Sequence, residues 1–219
     1  MRLLINQPGR NGDIIICLPI AKWYSSTHQV DWLCPQEYHS LFKYIDYCKP
    51  ILKDSLIYDK VIDMSFGITP GTKLHEWWIK TQSQWQSFII PKYIIAEVPL
   101  QERWNLLWNK NPDKAVSLYN KIINKYGMSY SVVQEHTWDY HINIPVKNKV
   151  LFEPIEDYSI FDWVIVLLRA KEIHCIDSVL CNFVEVLPPL LNVPKFYYNN
   201  RNVNTPYLKT LLVNNWRFV

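Results

Sequence analysis

The fold is decided near the amino terminus by residues 3–20, which read LLINQPGRNGDIIICLPI. A short apolar run at 3–6 and a long one at 14–24 enclose Gly9 and Gly12, two of only 5 glycines in the chain. This order predicts a buried strand, a tight turn and a helix. Because glycine reaches positive φ without steric cost, we expect each of these few glycines to meet a backbone requirement.

The alternation of strand and helix continues along the chain. Strands are predicted at 29–34 and 55–64, with a helix at 36–45 between them. Together with the first strand and helix, these segments indicate a parallel sheet covered by helices. A second alternation starts near residue 130, and it consists of strands at 130–135, 150–153, 173–177 and 195–198 and helices at 160–168 and 179–187.

The two alternations predict an α/β protein made of two small Rossmann-like halves that face each other across a cleft. We expect the first half at 1–110, a linking helix at 111–128 and the second half at 129–219. Asp113 would cap the linking helix, and Gly127 would end it. Ligands of such sheets bind outside the carboxyl ends of the strands.

Tryptophans are concentrated in the middle of the chain, in two predicted helices at 75–86 and 100–108. They are Trp77, Trp78, Trp85, Trp104 and Trp108. Tryptophans four residues apart on a helix lie on one face, which favours core packing over a platform for stacking a ligand.

The composition is that of a soluble globular protein. Hydrophobic residues make up 49% of the chain and charged residues 20%, and 23 basic against 20 acidic side chains give a net charge of +3. These values exclude a disordered chain and disfavour binding to nucleic acid. The 5 cysteines contain no C-x-x-C pair, which indicates reduced and mostly buried thiols. Without a signal-peptide pattern or an apolar stretch of about 18 residues, the sequence predicts a cytoplasmic protein with no transmembrane segment.

The first candidate site is the turn at 8–13, which reads PGRNGD. Its glycines, Gly9 and Gly12, would let the backbone approach a ligand, and the helix behind them would offer free N–H groups to an anion. Arg10 would add forked donors and Asn11 a further polar contact. Asp13 would either accept a proton from a substrate hydroxyl or only cap the helix, and the pattern leaves both open.

The second candidate site is the segment 173–178, which reads IHCIDS and precedes a predicted helix. Asp177 and Ser178 would end a strand and hold a phosphate or a sugar hydroxyl, or they would only cap the helix. His174 alternates with apolar residues, which is typical of a hydrogen-bonded, half-buried histidine as well as of a ligand contact. The next helix carries Asn182 and Glu185.

Together the two segments resemble the signatures of the heptosyltransferase-type glycosyltransferases that build lipopolysaccharide. In that family a strand is followed by a G-D segment with a proline a few residues on, as Gly12, Asp13 and Pro19 are here. The segment 170–187 resembles the family's second signature, in which a strand ends in Asp and a small polar residue before a helix. The glycine that usually follows is Val179 in this chain.

The resemblance implies a GT-B fold with an acceptor-binding first half and a donor-binding second half. A sugar would pass from a nucleotide sugar to a glycan or lipid-linked acceptor with inversion, and Asp13, which matches the family's proposed base, would deprotonate the acceptor hydroxyl. Acceptor and donor contacts would come from Gly9, Arg10, Asn11, Gly12, His174, Asp177, Ser178, Asn182 and Glu185. A lipid-linked acceptor would bring the protein to a membrane surface without a spanning segment.

No metal or other cofactor is expected. The chain contains no D-x-D, the carboxylate pair that binds a divalent ion in the other common glycosyltransferase design, and no His/Cys cluster with zinc spacing. Helix dipoles and basic side chains would then stabilise the departing diphosphate. The alternative is a non-catalytic protein that binds a nucleotide sugar or carbohydrate within a glycosylation complex.

Overall fold

The computed structural model describes residues 1–54, 56–65, 71, 89–137, 140–187, 192–198, 212 and 214–219. The chain divides into two compact units, residues 1–109 and residues 110–219. The helix predicted at 75–86, with its three tryptophans, lies outside the described residues.

The first unit contains a four-stranded parallel sheet in the order β3-β2-β1-β4. Its strands and first helix are β1 (Arg2–Asn6), α1 (Asn11–Tyr24), β2 (Gln29–Leu33), β3 (Lys49–Ile51) and β4 (Lys60–Asp63). In β1, Leu3, Leu4 and Ile5 are all buried, as expected for a central strand that is covered on both faces. The predicted strand, turn and helix at the amino terminus are therefore confirmed.

The rest of the first unit departs from the sequence prediction in four places, and the first is β3, which lies outside the predicted strands. The segment Gln36–Tyr44 is a 3₁₀ helix, and α2 (Ile89–Ile95) was not predicted. The helix predicted at 100–108 is wrong beyond its first turn, because the 3₁₀ helix Leu100–Trp104 ends there. The Asn105 side chain bonds back to the Glu102 carboxylate at 2.5 Å, which closes the turn locally. Trp104 and Trp108 therefore do not share a helical face.

The second unit contains a five-stranded parallel sheet in the order β6-β5-β7-β8-β9. Its elements are α3 (Pro112–Tyr126), β5 (Ser131–Gln134), β6 (Lys149–Leu151), a 3₁₀ helix (Ile160–Trp163) continuous with α4 (Val164–Arg169), β7 (Glu172–Cys175), α5 (Val179–Glu185), β8 (Lys195–Tyr197) and β9 (Trp216–Phe218). The alternation predicted after residue 129 is present with shorter elements.

Helix α3 belongs to the second unit and packs against α4 and the 3₁₀ helix that precedes it. Its N-cap is Asn111, whose side chain accepts a hydrogen bond from the Lys114 N–H at 3.1 Å. The prediction that Asp113 caps the helix is wrong, because Pro112 already starts it. Gly127 does end α3, with a φ of 77° that favours glycine.

All five cysteines are free and buried, as the sequence predicts. None of the helices within the described ranges is long and apolar enough to cross a membrane.

Candidate active site

The first candidate site lies at the carboxyl end of β1, in the turn that leads to α1. Gln7 follows the strand and is buried. Its side-chain carbonyl oxygen accepts a hydrogen bond from the Gly9 backbone N–H at 2.9 Å. Its backbone carbonyl oxygen accepts one from the indole N–H of Trp32, on β2, at 3.1 Å. These bonds hold the turn against its own strand and the neighbouring one.

Gly9 is needed in this turn for space rather than for an unusual φ. A Cβ atom built at this position would lie 2.9 Å from the Cβ and Oδ2 atoms of Asp13 and 2.9 Å from Oε1 of Gln7. Any side chain would therefore displace one of these two neighbours. We expected each glycine to be required by its backbone conformation. This holds for Gly127, which has a positive φ, but not for Gly9, which does not.

Asp13 lies in the first turn of α1, and it is not the residue that caps the helix. The N-cap position belongs to Arg10, which makes no side-chain capping bond. The capping hypothesis for Asp13 is therefore wrong, although a carboxylate in the first turn still interacts favourably with the helix dipole. Gly12 is buried, whereas Arg10 and Asn11 are exposed and border the turn on its solvent side.

A residue that the sequence analysis did not identify contacts Asp13 directly. Lys92, on α2, places its ammonium 3.2 Å from Oδ1 of Asp13. The Lys92 side chain is 1% exposed, whereas that of Asp13 is 39% exposed. The phenol of Tyr93 donates a hydrogen bond to the Ile16 carbonyl at 3.1 Å, which holds α2 against α1. The only signal in the sequence is a single lysine within the apolar segment IIPKYII.

Cys17 lies one helical turn after Asp13 and borders the same ion pair. Burial raises the pKa of its thiol to about 11, and the nearby Lys92 ammonium opposes that effect. The Gln7 amide lies 3.9 Å from the sulfur. The thiol is therefore neutral near pH 7 and is not a thiolate nucleophile.

A second carboxylate at this edge of the sheet, that of Asp63, makes hydrogen bonds to neighbouring residues of the fold. Asp63 ends β4, and its Oδ1 accepts bonds from the Asn6 amide at 3.1 Å and from the Ser65 N–H at 3.0 Å. The Ser65 hydroxyl donates to the same oxygen at 2.5 Å. Asp63 thus closes the turn after β4. Within the described part of the chain, no three His, Cys, Asp or Glu side chains are grouped so that they could hold a metal ion.

The second candidate site follows β7 in the second unit. Ser178 occupies the N-cap position of α5 but makes no side-chain capping bond. Its hydroxyl is buried and has no hydrogen-bond partner among the described residues. The Leu180 N–H in the first turn bonds instead to the side chain of Gln134, on β5, at 3.0 Å. Gln134 therefore performs the capping that the sequence suggested for Asp177 or Ser178.

The residues predicted beside this turn are not all near it. Asn182 is partly exposed, one turn along α5. Glu185 is 1% exposed at the other end of the helix, where it accepts a bond from the Trp216 indole N–H at 2.8 Å. Because Trp216 begins β9, Glu185 lies towards the amino ends of the strands, away from Ser178. The nearby Lys195 is buried as well, and burial lowers its pKa against the opposing effect of Glu185.

His174 is also satisfied within the fold. Its ring lies on β7 with Nε2 3.2 Å from the Glu172 carboxylate and Nδ1 3.2 Å from the Tyr198 hydroxyl. It stacks on Phe196 at a centroid distance of 4.6 Å. Burial lowers the pKa of His174, and Glu172 opposes that effect. The interpretation as a hydrogen-bonded histidine describes this environment.

His174 faces a cavity of about 620 Å³ in the second unit. The cavity is also lined by residues at the amino ends of β5, β6 and β7, among them Ser131, Asn148 and Glu172. The cavity extends across the sheet to Tyr198 and Val219, which follow β8 and β9, and its described lining does not include Asp177 or Ser178. The structure places His174 with this cavity and not with the second candidate site.

The two parallel sheets with their flanking helices have a GT-B-like α/β fold. The chain is similar to E. coli heptosyltransferase WaaC with ADP, at a TM-score of 0.50 and 14% identity over 93% of this chain and 89% of that chain. WaaC with ADP-2-deoxy-2-fluoro heptose gives a TM-score of 0.52 at 11% identity over 100% and 93%. A family 9 glycosyl transferase from Veillonella parvula gives 0.56 at 10% identity over 92% and 82%.

Likeness at such identities shows the fold alone. Neither the protein-family models nor the curated protein sequences compared with this chain give a match.

Proposed function

We propose that this protein is an inverting glycosyltransferase that moves a sugar from a nucleotide-sugar donor to a hydroxyl of a glycan or lipid-linked acceptor. One observation carries the proposal. The carboxylate of Asp13 stands at the carboxyl end of the central strand, partly exposed, with one oxygen paired to Lys92 and the other beside Gly9. Ligands of parallel α/β sheets bind at this edge.

The reaction needs a base and a leaving group. Asp13 would take the proton of the acceptor hydroxyl while the hydroxyl oxygen bonds to the anomeric carbon of the donor sugar. The bond between that carbon and the diphosphate would break at the same time, and a nucleoside diphosphate would leave with the electron pair. A single displacement of this kind inverts the anomeric configuration.

The donor contacts are proposed in the second unit, at the end of β7. The Ser178 hydroxyl is buried and has no partner among the described residues, so a donor would bond to it after a local movement of this turn. Asp177 and Asn182 are partly exposed beside it and would bind sugar or ribose hydroxyls. Neighbours of similar fold hold ADP or an ADP-heptose analogue, which supports a nucleotide-linked donor. We assign His174 and Glu185 to the fold rather than to the donor.

Arg10, Asn11 and the backbone around Gly12 would contact the acceptor or the donor phosphates, since they border the Asp13 turn. We propose that the departing diphosphate is stabilised by basic side chains and helix N-termini without a metal ion.

Donor binding is tested with the full chain and a panel of ADP-, UDP- and GDP-sugars. A rise in melting temperature with at least one of them is expected, because a ligand that binds the folded state stabilises it. No shift with any member of the panel would contradict the proposed donor class.

Turnover is then measured as release of nucleoside diphosphate with the donor that binds and a set of simple glycosides as acceptors. Asp13→Asn is expected to lower the rate by about 100-fold or more. Asp113→Asn, another acid in the first turn of a helix, is the matched control and should keep the wild-type rate. Full activity in Asp13→Asn would refute the assigned base, and donor binding without any turnover in the wild type would favour a non-catalytic binding protein.

A further inference from the structure

We propose that Lys92 is the positioning residue for Asp13: it holds the carboxylate in one orientation and keeps one oxygen directed at the acceptor. This inference rests on the proposed function, since it names the group that prepares the base. Its basis is an ion pair of 3.2 Å that joins α2 to the first turn of α1.

A lysine at this position is not explained by packing alone. Its neighbours on α2 include the buried residues Ile89, Pro91 and Tyr93, and an apolar side chain would fill the same volume without removing a charge from water. A buried ammonium is costly unless a carboxylate pairs with it. The described ion-pair partner of Lys92 is Asp13, so the charge is placed for that carboxylate.

The contacts around Asp13 leave one oxygen for a substrate. Lys92 lies 3.2 Å from Oδ1. Gly9 packs so closely on the other side that even a methyl group would collide with Cβ and Oδ2. The ion pair therefore fixes one side of the carboxylate, and its 39% exposure is what an acceptor hydroxyl can reach. A base fixed in this way avoids the reorganisation that a mobile one would need.

Lys92 acts through Asp13 and not on the substrate. Its side chain is 1% exposed, so neither a sugar nor a diphosphate can reach the ammonium without displacing Asp13 or α2. Removal of the charge should consequently affect the chemical step more than donor binding.

The central test is Lys92→Met in the full chain, which keeps the length and apolar stem of the side chain. We expect the melting-temperature shift with the bound nucleotide sugar to match the wild type, while kcat falls by about 10- to 100-fold because the carboxylate is no longer held. Lys60→Met is the matched control, since Lys60 also pairs with a carboxylate, that of Glu97, but on the exposed surface. It should keep the wild-type kcat.

Lys92→Gln separates charge and placement from simple packing. Its amide retains a hydrogen-bond donor for Oδ1, so kcat should recover part of the way towards the wild type. Lys92→Gln also tests the proposal if the Lys92→Met protein does not fold. A folded Lys92→Met or Lys92→Gln protein with wild-type kcat would overturn the proposal. So would a lower melting temperature accompanied by unchanged turnover per folded molecule, because a merely structural lysine behaves in that way.

A thermodynamic cycle tests the pair without any substrate. Asp13→Asn leaves a buried ammonium without its carboxylate and should lower the melting temperature by about 5 °C, whereas Lys92→Met leaves a half-exposed carboxylate that water can solvate and should change it little. The double variant should recover most of the loss of Asp13→Asn. Additive effects would overturn the pairing. If no nucleotide sugar binds the wild type while the cycle still shows coupling, the proposed function fails and the ion pair stands.

Discussion

The two turns that carry the candidate residues occupy equivalent places in their units, yet they are built differently. Each follows a strand of a parallel sheet and precedes a helix. In the first turn, Lys92 pairs with Asp13, Gly9 lies beside it, and the Gln7 side chain bonds to the Gly9 N–H. In the second, Gln134 reaches from a neighbouring strand to cap α5, and the Ser178 hydroxyl is left without a partner among the described residues.

Under the proposed function, this difference corresponds to two ways of preparing a site for its ligand. A base must be held in place before the substrate arrives, so its turn is filled by protein contacts. A hydroxyl that serves a ligand can be left unpaired in the free protein, and it then costs stability until the ligand binds. The following predictions test whether the turns really differ in this way.

The largest effect is expected from Gly9→Ala in the first turn. The new methyl group would displace Asp13 or the Gln7 side chain, because both lie 2.9 Å from its position. We expect a loss of about 2 kcal/mol in the free energy of unfolding, as for overpacked sites, together with a loss of turnover. Chemical denaturation measures the stability.

The control for Gly9→Ala lies in the second turn, at Val179, where the glycosyltransferases that the sequence resembles usually have glycine. Val179→Ala should change the free energy of unfolding by about 0.5 kcal/mol or less, since alanine favours a helix and Val179 is only half-buried. An equal cost at both positions would contradict the contrast between the turns.

An intermediate effect is expected from a change of pH, which should alter the free energy of unfolding through His174 in the second unit. Burial lowers the pKa of His174 in the folded protein below its ordinary value of 6.5. The unfolded state therefore binds a proton more readily, and stability should be complete above about pH 6.5 and decline as the pH falls through the lower folded pKa. Urea unfolding at a series of pH values between 7.5 and 5 measures the decline.

The variant for this test is His174→Gln, which removes the titrating ring. Its stability should vary less with pH over the same range than that of the wild type. An identical pH dependence in both proteins would show that another group is responsible.

The smallest loss of stability is expected from Ser178→Ala. The buried hydroxyl makes no hydrogen bond to the described residues, so its removal should leave the free energy of unfolding unchanged or raise it by up to about 1 kcal/mol. Binding of the nucleotide sugar should weaken by about 5- to 10-fold if the hydroxyl contacts the donor. Ser65→Ala, which loses the bond to Asp63, is the control and should cost about 1 kcal/mol without affecting donor binding. Unchanged affinity in Ser178→Ala would remove Ser178 from the donor site.

The parts of the structure that could be predicted are those with a local signal. The apolar run at 3–6, the glycines after it and the long apolar segment from Ile14 correctly indicated β1, the turn and α1. Gly127 marked the end of α3 because only a residue that tolerates positive φ fits there. The helix predicted at 100–108 was wrong. The spacing of the tryptophans does not show that the helix ends at Trp104, where the Asn105 side chain bonds back to Glu102.

The ion pair of the first site could not be predicted in the same way. Lys92 is 79 residues from Asp13 along the chain, and no period or motif joins them. The separation of His174 and Glu185 from Ser178 has no signal in the sequence either, because it depends on how the strands and helices pack.

The sequence by itself determined the two β/α alternations, the turn at 8–13 and the presence of an acidic residue in it, because periodicity and glycine placement act over a few residues. Only the tertiary structure decided that Asp13 is held by a buried lysine, that Gln134 caps α5 in place of Ser178, and that Glu185 is bonded to Trp216 in the interior. The physical reason is that packing brings together groups distant in the chain, and burial then determines whether a charge must be paired.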